Sequence, residues 1–337
     1  MPAVTGAGPG PPPAGRPLGV GVLGCAEIAL RRFLPALVAS KRARLAAIGS
    51  RDRGQAAAVA ARLGCEAADY QGLLASEEVD LVYLPLANHL HEAWVVAALD
   101  RGKHVLCEKP LGLSPGSVDR MLAAAERNGR LLHENLQYLH HPQHGRITEL
   151  LRAGHLGAVT GLDCTFHIPW PAPGGFRLDP SRGGGAFHDL SRYPLSAAGL
   201  HLEGAIDEVV RCQARWQEGL DVSMEAEATT TAGERLSFSI AFGRPYRSCY
   251  EVRGTDGSLR LERAFTPPPE HECLAELRRG DAVEALRLPA ADQFRLAIDH
   301  VVGRIGEGAP FRREHERARG LARIAERFLA AAGREHA

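Results

Sequence analysis

Lysine is nearly absent from this chain. Lys41, Lys103 and Lys109 are its only three, and arginine supplies the rest of the 40 basic residues. Those 40 are matched by 40 acidic residues. With no net charge and no basic tract to follow a phosphate backbone, a nucleic-acid partner is not expected. No apolar run approaches the roughly 18 residues that a membrane span needs, so no membrane partner is expected either. Cysteine pairs are missing too. The seven thiols lie apart at Cys25, Cys65, Cys107, Cys164, Cys212, Cys249 and Cys273, with no Cys-x-x-Cys spacing. This argues against a disulfide framework, a zinc knuckle or any metal site, and for a reducing cytoplasm. The first seventeen residues lack the charged and apolar regions of a secretory signal. Their Pro, Gly and Ala content reads as a disordered tail over 1–17. There is no internal repeat.

What is present is the composition of a soluble globular protein, 45% hydrophobic and 24% charged over 337 residues. That length suits about two domains of roughly 150 residues each. From 18 to 138, apolar runs at 19–23, 44–48, 81–84, 104–107 and 130–133 alternate with helical stretches near 27–40, 55–63, 91–101 and 115–128. Such alternation predicts a parallel sheet with helices on both faces, which binds ligands beyond the carboxyl ends of its strands. After about His141 the pattern changes. Helices are expected near 143–153, 187–200, 291–305 and 314–332. Strands are expected at 160–168, 208–216, 222–231, 235–242, 250–253 and 259–261, separated by turns such as Glu218-Gly219 and Asp256-Gly257. The fold class is therefore α/β: an N-terminal Rossmann parallel sheet over 18–138, followed by an α+β domain over 139–337 built on a largely antiparallel open sheet.

The motifs fall at strand ends. Gly21 and Gly24 mark a turn, with Cys25, Ala26, Glu27, Ile28 and Ala29 leading into a helix. A helix N-terminus there offers N–H groups and a positive dipole end to a pyrophosphate. The fingerprint is degenerate, and a packing glycine is the plainer reading. At the end of the second strand stands Ser50-Arg51 in place of the acid that would bind a ribose 2′-hydroxyl. This pair suits a 2′-phosphate and favours NADP over NAD, with helix capping by Ser50 or Asp52 as the alternative. Leu84, Pro85, Leu86, Asn88 and His91 follow the third strand as candidates to line a nicotinamide ribose, against an ordinary solvated loop. Cys107-Glu108-Lys109-Pro110 ends the fourth strand. Pro110 pushes Lys109 out of helical backbone, and the bond between them is a candidate cis bond. Partial burial would lower the pKa of Lys109; a surface pair with Glu108 is the plainer reading. Asn135 lies just past the last strand. Downstream, Gly183-Gly184-Gly185 precedes a segment in which Asp189 and Tyr193, four residues apart, would share a helix face. A tyrosine next to an ammonium can protonate an alkoxide; a core tyrosine and a capping aspartate are the alternative.

Together these segments resemble the glucose–fructose oxidoreductase/inositol dehydrogenase/MocA (Gfo/Idh/MocA) family over nearly the whole chain. The resemblance implies that Lys109 and Tyr193 act at the reacting carbon and that Asp189 is the intervening carboxylate. It also implies that NADP(H) is held by Gly21, Gly24–Ile28, Ser50, Arg51, Leu84–Leu86, Asn88, His91, Glu108, Lys109 and Asn135. Within the family, the segments 134–144, 257–268 and Asp292-Gln293-Phe294 are most similar to nucleotide-sugar 3-ketoreductases of deoxysugar biosynthesis. This implies NADPH-dependent reduction of a 3-keto group on a dTDP-linked hexose. Lys109, Arg177, Asp189, Tyr193 and Phe265 are the candidate substrate contacts, and the assembly is expected to be a dimer or tetramer. The helix departs from its relatives at His188 and Arg192. Two other functions stay open: a free polyol, aldose or dihydrodiol dehydrogenase, and a cofactor-binding regulator without catalysis.

Overall fold

The structure is a computed structural model that describes residues 16–333. The expected tail over 1–17 falls outside the described residues, apart from Arg16 and Pro17. The described chain forms two compact units. The first runs to Asn135 and adds Phe294–Arg319; the second runs from Leu136 to Gln293 and resumes at Gly320.

The first unit is a six-stranded parallel sheet of β1 (Leu18–Leu23), β2 (Ala43–Gly49), β3 (Glu66–Ala68), β4 (Leu81–Leu84), β5 (His104–Glu108) and β6 (Leu132–Asn135). The order is β3-β2-β1-β4-β5-β6, so the direction of winding reverses between β1 and β4. β1, β4 and β6 are buried along their whole length, as strands covered on both faces must be. The helices are α1 (Leu34–Ala39), α2 (Arg53–Leu63), α3 (Tyr70–Ala75), α4 (His91–Asp100) and α5 (Pro115–Arg127).

Several boundaries differ from the sequence expectation for identifiable reasons. The expected helix at 27–40 widens over Ala29–Phe33, where the Leu34 N–H reaches back five residues to the Ala29 carbonyl. Pro35, with no N–H, cannot continue an α ladder there. The last strand starts at Leu132 rather than 130, because the buried His104 ring takes the Leu131 N–H at 3.0 Å. β3 and α3 were not anticipated. Glu66-Ala67-Ala68 carries no β-branched or aromatic residue, and α3 is announced only by Asp69, which caps it by accepting from the Gly72 N–H at 2.8 Å.

The second unit holds an eight-stranded sheet: β7 (Val159–His167), β8 (Ile206–Gln217), β9 (Leu220–Thr230), β10 (Arg235–Ala241), β11 (Arg247–Gly254), β12 (Ser258–Glu262), β13 (Cys273–Arg279) and β14 (Ala282–Leu288). Its order is β14-β13-β12-β11-β7-β10-β9-β8. All neighbours are antiparallel except β7 and β10. The last two strands were not anticipated, because their charged, Ala-rich alternation resembles a solvated loop. One face carries Leu162, Phe166, Met224, Phe238, Ile240 and Val252 into a core shared with α6 (Pro142–Arg152), α7 (Ala186–Leu190) and α8 (Arg192–His201). The alternate residues Asp163, Thr165, Glu225, Glu227, Ser237 and Ser239 stay on the other face, partly or fully exposed. The sheet is thus apolar on one side and polar on the other.

The expected single domain over 139–337 is corrected at its C-terminal end. α9 (Gln293–Glu307) puts Phe294, Ile298, Val301 and Ile305 into the same core as Val20, Val22 and Leu106, and Phe311 joins them. An amphipathic helix goes where its apolar stripe is buried, and for α9 that place is the first sheet. α10 (Arg312–Ala331) begins in the first unit and ends in the second, where Phe328 packs on Phe238.

The second core also buries His141, His144 and His201. Burial pushes the pKa of His201 down to about 3 and of His141 to about 4, and holds His144 well below the ordinary value. Unfolded, all three would titrate near 6.5, so below that pH the unfolded chain binds more protons than the folded one and stability falls with falling pH. Melting temperature should accordingly drop by at least about 4 °C between pH 7.5 and 5. Neither ring nitrogen of His201 has a hydrogen-bond partner among the described residues, so His201→Phe should lessen that drop in thermal denaturation followed by circular dichroism.

Candidate active site

The carboxyl ends of the first sheet gather most of the expected cofactor residues. β1 stops at Leu23, and Gly24 turns the chain with φ +120°, a conformation L side chains rarely adopt. Its N–H is taken by the Gly49 carbonyl at 2.8 Å, which ties the end of β1 to the end of β2. A Cβ on Gly24 would stand 2.8 Å from a Leu86 methyl, so the glycine also lets the loop after β4 approach. Cys25, Ala26 and Ile28 are half-buried beyond the turn, while the Glu27 side chain is exposed and pairs with Arg31 at 2.6 Å. Any part Glu27 plays at the turn is through its backbone. Gly21 lies inside β1, where a Cβ would collide with Leu73 and Val79 at 2.8 and 2.9 Å, so its bare backbone serves helix–strand packing.

At the end of β2, Ser50 is buried and its hydroxyl lies 3.3 Å from Gln55 Oε1. Asp52 caps α2 by accepting from the Gln55 N–H at 3.0 Å. The carboxylate nearest this corner is thereby committed to a helix. Arg51 is exposed beside the Tyr70 hydroxyl.

The ends of β4, β5 and β6 are joined by buried polar side chains. Glu108 Oε1 accepts from the Tyr83 hydroxyl and from Asn135 Nδ2, both at 2.7 Å. Glu134 accepts from the Leu111 N–H at 3.0 Å. Burial and the neighbouring carboxylate of Glu108 raise the Tyr83 pKa well above its ordinary value, so the phenol stays a donor. Lys109 stands between these fixed neighbours, and its bond to Pro110 is cis. Leu84, Pro85 and Asn88 are buried and Leu86 half-buried along the adjoining loop. His91 departs from the solvated or ligand-lining role expected of it. It has no exposed surface, and its Nδ1 and Nε2 lie 2.9 and 3.0 Å from the Pro110 and Leu86 carbonyl oxygens. Burial, opposed by those carbonyls, lowers its pKa.

In the second unit the expected single helix over 187–200 is two helices, α7 and α8, meeting at Ser191. Pro194 in the first turn of α8 has no N–H to carry α7 onward. Asp189 and Tyr193 thus stand on different helices. Asp189, 7% exposed, accepts from Arg177 Nε at 2.9 Å. The Tyr193 ring packs edge-on against Phe166 with centroids 4.8 Å apart, and beside Phe265 at 5.3 Å and Tyr138 at 5.5 Å. The Tyr138 hydroxyl meets Ser196 Oγ at 2.6 Å, one turn along α8. Phe265 is fully buried in this cluster and backs the Tyr193 ring. Ahead of α7, Gly185 has φ +113°, and a Cβ on it would lie 2.0 Å from an Asp221 carboxylate oxygen. Asp221 accepts from the Phe187 N–H at 2.5 Å and so caps α7 from β9; burial pushes its pKa up to about 7. His188 is pushed down to about 4 by burial and the Arg192 charge. Tyr83, Glu134, Tyr138 and Asp221 went unanticipated. The only signal for them was a polar residue within or beside an otherwise apolar run.

No cluster of three or more His, Cys, Asp or Glu that could hold a metal exists among the described residues, and the seven cysteines are free. No helix among them is long and apolar enough to cross a membrane.

A glycine turn at the head of a doubly wound sheet, with a lysine at a neighbouring strand end, defines a dinucleotide-dependent oxidoreductase class. Residues 18–136 match the family model of the GFO/IDH/MocA oxidoreductases, described as an NAD-binding Rossmann fold, and residues 144–260 match the GFO/IDH/MocA C-terminal domain. The chain belongs to the Gfo/Idh/MocA oxidoreductase family. It is 40% identical over 316 residues to the dTDP-3,4-didehydro-2,6-dideoxy-alpha-D-glucose 3-reductase of Streptomyces antibioticus, covering 93% of this chain and 96% of that one. The reductase of the same name from Actinomadura kijaniata is 40% identical over 290 residues, 85% and 87% of the two chains. Among solved structures, KijD10, a 3-ketoreductase from Actinomadura kijaniata in complex with NADP and TDP-benzene, superimposes with a TM-score of 0.90 at 36% identity, covering 94% of this chain and 98% of that one.

Gly24→Ala should cost about 1–3 kcal/mol, because alanine must be forced to positive φ. Dinucleotide affinity should fall with it by about tenfold, the factor that 1.4 kcal/mol represents. Denaturant unfolding and fluorescence titration with NADPH check the two effects.

Proposed function

We propose that this protein catalyses NADPH-dependent reduction of the C3 keto group of a dTDP-linked deoxysugar. The observation that carries the reading is positional. Solved variants of KijD10 in complex with TDP-benzene and NADP replace a lysine and a tyrosine at the same sequence separation as Lys109 and Tyr193. The full-length likeness to dTDP-sugar 3-reductases supports the same substrate class.

The cofactor corner fits NADP. Gly24 leaves the turn open where a side chain would crowd it. Asp52 is engaged with the α2 N-terminus, where the helix dipole offsets part of its charge. Ser50 and Arg51 are the residues that would hold a 2′-phosphate, Arg51 as the charged donor. Cys25 to Ile28 would hold the pyrophosphate through backbone N–H groups. Pro85, Leu86, Asn88, Glu108 and Asn135 would bound the nicotinamide end. When bound, NADPH supplies a hydride to the carbonyl carbon. Tyr193 delivers its phenolic proton to the carbonyl oxygen as charge develops there. Lys109 assists as the cationic group, an interaction strongest in the transition state. Asp189, fixed by Arg177, presents a carboxylate that accepts from sugar hydroxyls. His188 and Arg192 are where this chain departs from its relatives, and they belong to the sugar-selecting part of the site. A homo-oligomer, dimer or tetramer, completes the reading, and light scattering on the purified protein tests it.

Tyr193→Phe should lower kcat by about 10²–10⁴-fold, the usual contribution of a general acid, with NADPH affinity unchanged. Rates on a dTDP-3-keto-sugar and fluorescence titration of NADPH measure the two. Unchanged turnover would remove Tyr193 as the acid. Adding dTDP should raise the melting temperature of the NADP-bound protein, and an unmoved melting point would point to a free sugar or polyol as substrate.

A further inference from the structure

The ladder between β4 and β5 ends at the pair Leu84–Cys107. Past that pair the two chains separate into the Pro85–Asn88 loop and the Glu108–Leu111 segment. Three of the backbone or side-chain anchors near Lys109 come from Tyr83 and from β6: Tyr83 and Asn135 hold the Glu108 carboxylate, and Glu134 holds the Leu111 N–H. The fourth comes from α4. His91, its first residue, reaches the Pro110 carbonyl with Nδ1 at 2.9 Å and the Leu86 carbonyl with Nε2 at 3.0 Å. The imidazole itself has no exposed surface; its Pro110 contact is buried and its Leu86 contact partly so. A neutral imidazole carries one N–H, so the ring donates to one of these carbonyls and packs its other edge against the second.

We propose that His91 is a positioning residue that ties the loop after β4 to the segment after β5 and thereby sets where the Lys109 ammonium stands. The task suits histidine in particular. Its rigid ring spans the two segments, donating at one edge and filling the space at the other. Phenylalanine keeps the ring without the donor, and glutamine keeps a donor on a flexible stem. The inference rests on the reading that Lys109 acts at the reacting carbonyl.

The test uses the full chain with His91→Gln and His91→Phe, compared with wild type by melting temperature, by kcat and KM on a dTDP-3-keto-sugar, and by amine acylation mapped by mass spectrometry. The chain has only Lys41, Lys103 and Lys109 to acylate, so the Lys109 rate can be referred to Lys41 within each sample. In a folded variant, kcat should fall about 10–100-fold, the penalty of a misplaced catalytic group, while the KM for NADPH stays within about threefold. The Lys109-to-Lys41 acylation ratio should change by at least about threefold as the ammonium leaves its set environment. A general loosening of the fold would instead raise the KM for NADPH together with the loss of kcat, and would overturn the proposal. So would a folded variant with unchanged kcat and an unchanged acylation ratio. If wild type reduces no dTDP-keto-sugar, the functional reading fails and the acylation ratio alone decides the role of His91. Where His91→Phe does not fold, His91→Gln carries the test.

Discussion

A parallel sheet leaves the backbone groups at its strand ends without ladder partners, and ligand chemistry is done at those ends. In this chain a cross-strand backbone bond and a set of side chains take over where the ladder stops. The Gly24 N–H donates across to Gly49; Glu134 receives the Leu111 N–H; His91 faces two carbonyls; Glu108 is held by Tyr83 and Asn135. An unmet buried donor or acceptor costs about 1–3 kcal/mol, so these contacts fix the strand ends firmly. Lys109 is placed by this constraint: its neighbours on both sides are held, whatever the ammonium itself does.

The second unit meets the same problem at a helix start. Gly185 brings the backbone close to Asp221, whose carboxylate reaches across from β9 to take the Phe187 N–H at the head of α7. The cap is remote in sequence, which is why no Ser, Thr or Asp stands at the position where a local cap would be sought. Close by, Tyr193 is steadied by a wall of rings, with Phe166, Phe265 and Tyr138 around it, and Tyr138 is itself anchored at Ser196. A phenol held by edge-on and tilted rings has little freedom left to lose, a form of preorganisation.

Much of this was legible in the sequence, and the residues that misled share a cause. The turn at Gly24, the strand end at Lys109 and the acid-free corner at Ser50 and Arg51 were readable because each is a local backbone event with a composition cue. Gly21 looked like part of that turn, but its missing Cβ answers to Leu73, fifty residues on. Phe265 was expected at the substrate, and the structure buries it among the rings of Tyr138, Phe166 and Tyr193, which are remote in sequence. His91 was expected to line a ligand or to be solvated, because nothing local tells that carbonyls at 86 and 110 lie against its ring. Asp189 and Tyr193 were placed on one helix by spacing alone, and Pro194 divides it.

Local sequence was enough for most of the strands and helices, for the parallel character of the first sheet and for the largely antiparallel character of the second. Periodicity, glycine and proline act over a few residues and need no partner. The membership of α9, the carboxylates of Glu108 and Glu134 that hold the segment around Lys109 and the remote cap on α7 come from tertiary packing. Each of these depends on which surfaces meet, and burial strengthens a hydrogen bond or forbids a charge only after distant segments have excluded water.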